Sequence, residues 1–358
     1  MIKVLHVTES LTGGILTFLE GLVNGMDDAF SSYILYAKRR PETPATPEKL
    51  FRAGTTLIHA EHLVRSIHPK EDLLACLEVR KAVQRIKPDI VHLHSSKAGV
   101  IGRWALNGRK IPLFYTPNGY SFLVQGCNVV KRQMFYYMEK ISGCRPCKTI
   151  ACGKGEYEIG RSVSRTITYV NNGINTAELD DLATQHASPS SISVCTLARI
   201  SQQKNPALFN EIAKRLPDVH FVWIGDGELR HELVSPNIEV TGWLPKRQAL
   251  EKLMKHSVFL LPSSWEGLPL SILEAMYLNR LCIVSNIPGN VDAIVNGENG
   301  FICNNVDEYV HVLQQLVMYG IDEGVIENAR KTVLNGFTKE HMALQYTDIY
   351  RKACSGRM

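Results

Sequence analysis

The sequence has 358 residues, a length that predicts two globular domains of about 170 residues each. Hydrophobic residues make up 45% and charged residues 21%, and this balance excludes a disordered chain. No apolar run approaches the roughly 20 residues of a membrane span and the start, MIKVLHVTES, lacks the apolar core of a signal peptide, so we expect a cytoplasmic protein whose nine cysteines are reduced thiols. The net charge of +5 is uneven: residues 1–185 carry 24 Lys and Arg against 17 Asp and Glu, a net +7, which suits an acidic membrane surface or a phosphorylated acceptor and equally a plain solvated surface.

Short apolar runs alternate with helical patterns along the first half, which predicts a parallel sheet covered by helices on both faces. The run at residues 3–7 leads through a loop at 10–14 into a helical pattern at 15–26. The later apolar runs lie at 33–36, 90–94, 113–116, 149–151 and 167–170, and the clearest helical patterns between them lie at 74–86 and 129–141.

The polar stretch 176–191 ends in SPSS and interrupts this alternation, so we predict a linker there. The alternation then resumes, with apolar runs at 193–197, 221–224, 238–241, 258–261, 281–284 and 301–303. We therefore predict two α/β domains, 1–175 and 192–338. The last segment, 339–358, has a helical pattern that either packs on the second domain or returns to the first.

The segment SSWEGLPLSILEAM, residues 263–276, has the features of an anion site at the end of an apolar run. Gly267 allows a ligand to approach the backbone, and Pro269 fits the first turn of a helix. The N–H groups and the dipole at the start of that helix favour an anion. Glu274, a carboxylate on an apolar helix, needs a partner such as a ribose diol. The donor-binding candidates here are Gly267, Leu268, Pro269, Leu270, Ser271 and Glu274.

In the form EGLPLSILEA, with Glu266 and Glu274 separated by seven residues, this segment resembles the hallmark of retaining glycosyltransferases of family 4. A bare Glu-x7-Glu spacing would be incidental, but the full string is specific. The resemblance is dense over residues 194–304 and looser over 1–175. It implies the GT-B fold, in which two Rossmann-like doubly wound domains face each other across a cleft, and it implies that Glu266 contacts the transferred sugar and Glu274 the nucleotide ribose.

The segment TLARISQQKNP, residues 196–206, resembles the family's Arg and Lys clamp for the donor diphosphate. Arg199 and Lys204 stand before a helix, and positive charge is needed where negative charge develops on the leaving diphosphate. Surface cations alone are weak evidence for a diphosphate site. The evidence is stronger here because Arg199 and Lys204 precede Glu266 in the order that the family has.

Two further loops of the second half resemble walls of the nucleotide site. Gly225, Asp226 and Gly227 end an apolar run in FVWIGDGELRHEL, although a tight strand-to-helix turn explains them equally well. Trp243 lies in VTGWLP, which resembles the loop that cradles the base. In the late loop GNVDAIVNGENGF, Asp292 stands where many members have glutamate, a mild departure.

The first half contributes three candidate site residues. The resemblance implies that Gly13 and Gly14 face the diphosphate and the acceptor, although a plain turn fits as well. Asn118 stands in YTPNGYSF where many relatives have a histidine that contacts the sugar. Because asparagine can donate a hydrogen bond but does not titrate near neutrality, we expect an altered sugar preference. His92 and His94 end an apolar run; either could face the cleft, but we favour histidines that are buried or have their polar atoms satisfied.

The resemblance implies a retaining, hexosyltransferase-type enzyme that moves a sugar from a nucleotide-diphosphate donor to a saccharide or lipid-linked saccharide, as in surface polysaccharide assembly. The candidate catalytic residues are Glu266, Arg199, Lys204 and Asn118. No carboxylate stands out as a nucleophile, so we expect a front-face route in which the leaving diphosphate takes the acceptor's proton. Because cations and backbone N–H groups replace a metal, and no Asp-x-Asp motif is evident, we expect no metal and no other cofactor.

Two other functions stay open on the sequence alone. A nucleotide-sugar epimerase shares the architecture but needs acid–base groups that the sequence does not reveal. A non-catalytic nucleotide-sugar-binding subunit is disfavoured by the intact charged motifs. A dinucleotide oxidoreductase is least favoured, since no G-x-G-x-x-G follows the first apolar run. We expect no nucleic acid partner. The nucleotide base, the sugar, the acceptor and the oligomeric state are left open.

A zinc site and a membrane-bound helix are weaker hypotheses. Cys144 and Cys147 form Cys-x2-Cys near Cys127 and Cys152, but the four lack the paired spacing of a zinc site, so we predict no zinc there. The basic first half predicts peripheral contact with the inner face of the membrane. Within it, VVKRQMFYYMEKI at 129–141 fits a membrane-surface helix and, somewhat better, a helix packed on the sheet.

Overall fold

The computed structural model describes residues 1–38, 46–64, 66–124, 126, 128–183 and 191–356. The chain divides into two compact units. The first comprises Met1–Leu123, Cys127–Gly173 and Lys339–Met358, and the second comprises Val124–Gly126 and Ile174–Thr338.

A parallel sheet forms the centre of the first unit. Its strands are β1 (Ile2–Ser10), β2 (Phe30–Lys38), β3 (Thr56–His59), β4 (Ile90–His94), β5 (Leu113–Thr116), β6 (Lys148–Ala151) and β7 (Ile167–Tyr169). Within the described residues they pair in the order β3-β2-β1-β4-β5-β6-β7. The order reverses between β1 and β4, which makes this a doubly wound, Rossmann-like sheet. β3 was not predicted, because this edge strand contains only two apolar residues, Leu57 and Ile58.

Helices cover both faces of this first sheet. They are α1 (Gly13–Gly25), α2 (Pro69–Ile86), α3 (Ser96–Ala105), α4 (Val129–Ser142), α5 (Lys154–Gly160) and the C-terminal α13 (Lys339–Ser355). Val4 packs with α1 and α13, whereas the next residue, Leu5, packs with α2 and α3. This alternation follows from the two-residue period of a strand, and it explains why the central strands are apolar at nearly every position.

The C-terminal helix α13 packs against α1 within the first unit. Met342, Tyr346 and Tyr350 are four residues apart and form its buried face. A Cβ atom on Gly25 would lie 2.6 Å from the Cβ of Ala343, so two small residues allow the helices to approach closely.

The second unit repeats the architecture. Its strands are β8 (Ser193–Leu197), β9 (His220–Ile224), β10 (Ile238–Val240), β11 (Val258–Leu261), β12 (Leu281–Ser285) and β13 (Phe301–Cys303). The helices are α6 (Thr176–Ala183), α7 (Pro206–Arg215), α8 (Lys246–Leu253), α9 (Leu270–Tyr277), α10 (Asn290–Ala293), α11 (Val306–Tyr319) and α12 (Glu323–Gly336). The described strands pair in parallel in the order β10-β9-β8-β11-β12-β13, with the reversal between β8 and β11.

The segment predicted as a linker differs from the prediction, because α6 occupies its first half. Leu179 and Leu182 are buried, and the Tyr277 hydroxyl donates to the Asp180 carboxylate at 2.6 Å. Residues 184–190 lie outside the described part of the chain. A short polar helix with two buried apolar residues has too weak a period to be distinguished from a linker.

Among the described residues, no helix combines the length and the hydropathy that a membrane span requires.

Candidate active site

Two loops of the second unit meet where its sheet reverses order. One follows β8 and contains Arg199 and Lys204, and the other follows β11 and contains Glu266. They are joined by a hydrogen bond of 2.8 Å from the Ser264 N–H to the Gln203 carbonyl. In doubly wound sheets, ligands bind beyond the carboxyl ends of the strands at this reversal point. The structure therefore brings three of the predicted site residues to the place that the fold favours for a ligand.

Glu266 is held by polar contacts on both carboxylate oxygens. Its side chain is buried, with Oε1 accepting from Lys204 Nζ at 2.5 Å and Oε2 from Gln203 Nε2 at 3.1 Å. The chain next to Lys204 is fixed as well, because Asn205 adopts a left-handed φ of 54° and caps α7 through the N–H of Leu208. The carboxylate thus has a defined position and a paired charge. Gln203 was not predicted, although it stands beside Lys204 in the same motif.

Arg199 forms an ion pair with Glu228, with 3.0 Å between Nη2 and Oε2. Both side chains are more than a third exposed, so the pair contributes little to stability. A diphosphate offers more negative charge and bidentate geometry to the guanidinium. The role of Arg199 in holding a diphosphate stays a prediction.

The Gly-Asp-Gly turn after β9 lies directly against the loop after β8. A Cβ atom on Gly225 would lie 2.2 Å from the Ala198 carbonyl oxygen, and one on Gly227 would lie 2.0 Å from that of Ile200. The Asp226 carboxylate accepts the N–H of Gly227 at 2.8 Å. Both glycines are therefore required by loop packing, and a direct role in donor binding stays a prediction.

Trp243 lies in the loop after β10 with 42% of its surface exposed. This loop joins the turn after β9 through a backbone bridge between Gly225 and Gly242. The indole is thus partly exposed at the carboxyl end of the edge strand β10, and aromatic rings of this kind can stack on nucleic-acid bases.

Helix α9 begins beside Glu266 with its N-terminus unoccupied by acidic groups. Residues 267–269 lead into it, and Pro269 occupies the N-cap rather than the first helical position, with its carbonyl accepting from the Ile272 N–H at 3.2 Å. Among the described residues no side chain caps this helix, and its first turn has no Asp or Glu. The N–H groups of Leu270 and Ser271 have no acceptor within the helix, which suits an anion.

Glu274 is buried on α9 beside a cation. Lys246 Nζ lies 4.0 Å from Glu274 Oε1 and 3.0 Å from Glu178 Oε2. A nearby ammonium group offsets the cost of keeping a carboxylate charged at a buried position. Lys246 was not predicted, because no local pattern links it to a residue 28 positions later.

Gly289, at the end of the loop after β12, supports the same corner. It has a φ of 89°, and a Cβ atom on it would lie 2.0 Å from the Gly267 carbonyl oxygen. Any other residue there would displace the backbone that carries Glu266. Gly289 was also missed, although its place in GNVDAIV was a signal.

The remaining predicted site residues lie in the first unit. Gly13 and Gly14 form the first turn of α1 rather than a loop, and Gly13 has a φ of 53°. Asn118 follows β5 with a φ of 52°. Its amide nitrogen is buried and has no acceptor among the described residues. Because an unpaired buried donor is costly, this amide suits a ligand oxygen. Next to it, the Gly119 N–H donates to the Glu156 carboxylate at 2.6 Å.

His6, His92 and His94 are the described residues whose side chains lie close enough together to hold a metal ion. All three are buried. His92 bonds the Tyr350 hydroxyl at 2.5 Å and the Thr116 hydroxyl at 2.8 Å, and His6 Nδ1 lies 3.0 Å from His94 Nε2. Burial lowers the pKa of His6 to about 3 and the pKa of the other two well below the usual value. Both ring nitrogens of His92 are bonded to hydroxyls, and the lowered pKa values leave the three rings neutral. We call His6, His92 and His94 the polar layer of the sheet.

The cysteine group does not assemble into an ion site among the described residues. Cys144 is exposed and Cys152 is buried. Burial raises the pKa of the Cys147 thiol to about 12, which disfavours the thiolate that zinc requires. Cys127 lies outside the described residues.

Comparison with known proteins covers most of the chain. Residues 192–318 match the family model described as glycosyl transferases group 1, and residues 12–178 match glycosyltransferase family 4. The UDP-Gal:alpha-D-GlcNAc-diphosphoundecaprenol alpha-1,3-galactosyltransferase of Escherichia coli is 29% identical over 319 residues, which are 80% of this chain and 81% of that protein.

Solved structures match the fold over nearly its full length. Sucrose-phosphate synthase from Thermosynechococcus elongatus aligns with a TM-score of 0.81 at 15% identity, covering 99% of this chain and 100% of that chain. HepE of Anabaena, in complex with UDP and glucose, aligns with a TM-score of 0.76 at 15% identity, covering 98% of this chain and 99% of that chain. The predicted fold of two Rossmann-like domains of the GT-B type is confirmed.

Proposed function

Because this chain belongs to the group 1, family 4 glycosyltransferases, which act on nucleotide sugars, we propose that it is a retaining hexosyltransferase. In this proposal the donor is a UDP-hexose and the acceptor is a saccharide linked to a lipid diphosphate. The observation that carries the proposal is the meeting of the Arg199 and Lys204 loop, the Glu266 loop and the N-terminus of α9 at the reversal point of the second sheet.

Each part of this corner has a role in holding the donor. The diphosphate lies against the N-terminus of α9, with Arg199 released from Glu228 and turned towards the phosphate oxygens. Glu274 accepts hydrogen bonds from the ribose hydroxyls. Glu266 accepts from hydroxyls of the transferred sugar, since Lys204 and Gln203 already orient its carboxylate. Trp243 offers a stacking face for the base.

The transfer proceeds on one face of the sugar. The bond between the anomeric carbon and the diphosphate oxygen breaks, and the cations and the helix N-terminus stabilise the charge that develops on that oxygen. The same oxygen accepts the proton of the acceptor hydroxyl, whose oxygen bonds the anomeric carbon from the side that the diphosphate left. The configuration is retained. Positioning and charge stabilisation are supplied by the protein, and the proposal needs neither a metal ion nor another cofactor.

The acceptor and the location are proposed from the relatives and from the charge distribution. The Escherichia coli relative, by its name, transfers galactose from UDP-Gal to a GlcNAc-diphosphoundecaprenol. A lipid-linked acceptor of that class, used in surface polysaccharide assembly, would place this enzyme in the cytoplasm at the inner face of the membrane. The basic first half supports this location. Nucleic acid has no part in the proposal.

Donor binding tests the site. We expect isothermal titration calorimetry to detect UDP and a UDP-hexose, and to detect GDP and ADP much more weakly. Glu274→Ala and Arg199→Ala should each weaken UDP binding roughly tenfold or more, because each removes a charged hydrogen-bond partner. Arg215→Ala and Glu211→Ala, which break an exposed ion pair on α7, are matched controls and should bind UDP normally.

Product analysis separates the proposal from its alternatives. NMR of the product should show the anomeric configuration of the donor. An inverted product would contradict retention, and conversion of the donor sugar without transfer would favour an epimerase. Normal UDP binding by both site variants would show that the nucleotide site is wrongly placed.

A further inference from the structure

The outer face of α4 is apolar. Val130, Met134, Tyr137 and Ile141 recur at intervals of four, three and four residues, so they form one stripe along the helix. Their side chains are between 40% and 74% exposed. A surface helix normally presents polar residues on that side. We call these four residues the α4 stripe.

The opposite face of α4 is fixed to the first unit by buried polar contacts. Glu139 is buried and accepts from Arg103 Nη2 at 2.6 Å and from the Tyr115 hydroxyl at 2.8 Å. At the end of the helix, Trp104 Nε1 donates to the Ser142 hydroxyl at 3.0 Å. The Tyr137 ring packs edge-on against Tyr136 with 5.6 Å between ring centroids, but 40% or more of each side chain of the stripe stays exposed, and this exposed apolar surface needs another explanation.

Basic side chains border the α4 stripe on both sides. Lys131 and Lys140 lie on opposite flanks, with their Nζ atoms 5.8 Å and 5.7 Å from the ring centroids of neighbouring aromatic residues. Past the end of the helix, the Arg145 guanidinium lies 5.1 Å from the ring of Trp104, which is itself 47% exposed. Apolar stems with charged ends beside aromatic rings are typical of groups at a membrane interface.

The part of the sequence that contains α4 has a strong basic excess. Residues 101–165 carry eleven Lys and Arg and three Asp and Glu, a net +8. Two of the three acidic residues, Glu139 and Glu156, are buried. The basic excess of the first half is thus concentrated in the segment that contains the α4 stripe.

We propose that α4 lies in the plane of an anionic phospholipid surface, with the α4 stripe in the headgroup region and Lys131, Lys140 and Arg145 on lipid phosphates. An exposed apolar stripe with basic flanks fits this partner by both apolar character and charge. A stripe one residue wide is too narrow for irreversible anchoring, so the contact is reversible and depends on anionic lipid. This inference rests on the proposed lipid-linked acceptor, which the contact would bring to the enzyme.

Vesicle flotation of the full chain tests the inference. We expect binding to vesicles of phosphatidylcholine with 30% phosphatidylglycerol and much weaker binding to phosphatidylcholine alone. Met134→Ser with Ile141→Ser, and separately Lys131→Glu with Lys140→Glu, should each reduce binding to the anionic vesicles roughly tenfold. Met318→Ser with Tyr319→Ser on α11, where both side chains are exposed, and Lys214→Glu with Lys255→Glu are matched controls in the second unit and should bind like the parent chain.

UDP titration of the same variants separates the two proposals. Variants that bind UDP normally but no longer float with anionic vesicles support both the proposed nucleotide site and the membrane inference. Absence of flotation in the parent chain, with UDP still bound, overturns the membrane inference and leaves the proposed function intact. Sedimentation velocity tests whether a second copy of the chain, rather than lipid, contacts the α4 stripe. A lipid-free dimer that the serine variants convert to a monomer would show that it does.

Discussion

At the scale of single residues, the candidate active site depends on carboxylates whose charge is already compensated. Glu266 is paired with Lys204 and bonded by Gln203, and Glu274 lies beside Lys246. Buried carboxylates without such partners would be costly. The partners also fix orientation, since a hydrogen bond from an amide limits the rotation of a carboxylate. In the proposed mechanism, preorganisation of this kind reduces what must be ordered when a sugar binds.

Replacement of Gln203 tests this positioning role. In Gln203→Ala, the Glu266 carboxylate loses the amide that orients Oε2, and we expect UDP-hexose binding to weaken roughly tenfold while UDP binding stays unchanged. Calorimetry with the two ligands measures both. Gln202→Ala, at the exposed neighbouring glutamine, is the matched control. An equal loss for UDP and UDP-hexose would mean that the loop, rather than the Glu266 carboxylate, had changed.

At the scale of elements, the contact between α1 and α13 shows how two helices distant in sequence become one packed layer. The buried tyrosines of α13 reach the polar layer of the sheet, where the Tyr350 hydroxyl bonds His92. The close approach at Gly25 and Ala343 allows this. The helix that ends the chain is thus part of the first unit, although its own sequence pattern was compatible with packing on either unit.

The fit of α1 against α13 can be tested by adding one methyl group. An alanine in place of glycine ordinarily favours a helix by up to about 1 kcal/mol. At Gly25 the new Cβ atom would overlap that of Ala343, so we expect Gly25→Ala to lower the free energy of unfolding by about 1–2 kcal/mol. Urea unfolding measures the change.

Two variants check the cause of that loss. Gly336→Ala at the last residue of α12, where an added Cβ atom meets nothing within 4 Å, is the matched control and should be neutral or stabilising. Ala343→Gly should restore part of the stability of Gly25→Ala. Equal effects at Gly25 and Gly336 would mean that helix propensity, rather than the contact with α13, determines the result.

At the scale of the whole molecule, buried neutral histidines make folding sensitive to acid. His6, His92 and His94 lie inside the first unit with lowered pKa values, and burial also lowers the pKa of His256 in the second unit to about 4. Their unfolded forms take up protons near pH 6.5, while the folded forms stay neutral. Below that pH the unfolded chain binds more protons, so stability is complete above it and is lost as the pH falls.

The pH dependence of unfolding tests this layer. Below pH 6.5 we expect each of the three buried histidines of the first unit to contribute a slope of up to about 1.4 kcal/mol per pH unit to the free energy of unfolding. His94→Asn removes one titrating group and should reduce the slope by about that amount, whatever its effect on stability at neutral pH. His311→Gln, at an exposed histidine, is the control. If the pH slope of His94→Asn equals that of the parent chain, His94 does not change its protonation on unfolding.

Most of the fold and part of the site could be predicted from local patterns. Twelve of the thirteen described strands were expected, because a buried parallel strand is a short apolar run. The strand β3 and the helix α6 were missed because each has only two large apolar side chains, so that the period is too short to detect. Glu266, Arg199 and Lys204 were named because their motifs are contiguous in sequence.

The sequence by itself determined the alternation of strands and helices, the division into two α/β units and the family, because these depend on periods and motifs within a few residues. Only the tertiary structure decided that Gln203 orients Glu266, that Lys246 lies beside Glu274, that Gly289 supports Gly267, and that α13 packs on α1. These contacts join residues far apart in the chain. They depend on the order in which strands enter the sheet and on which loops then share an edge, and no local pattern encodes that order.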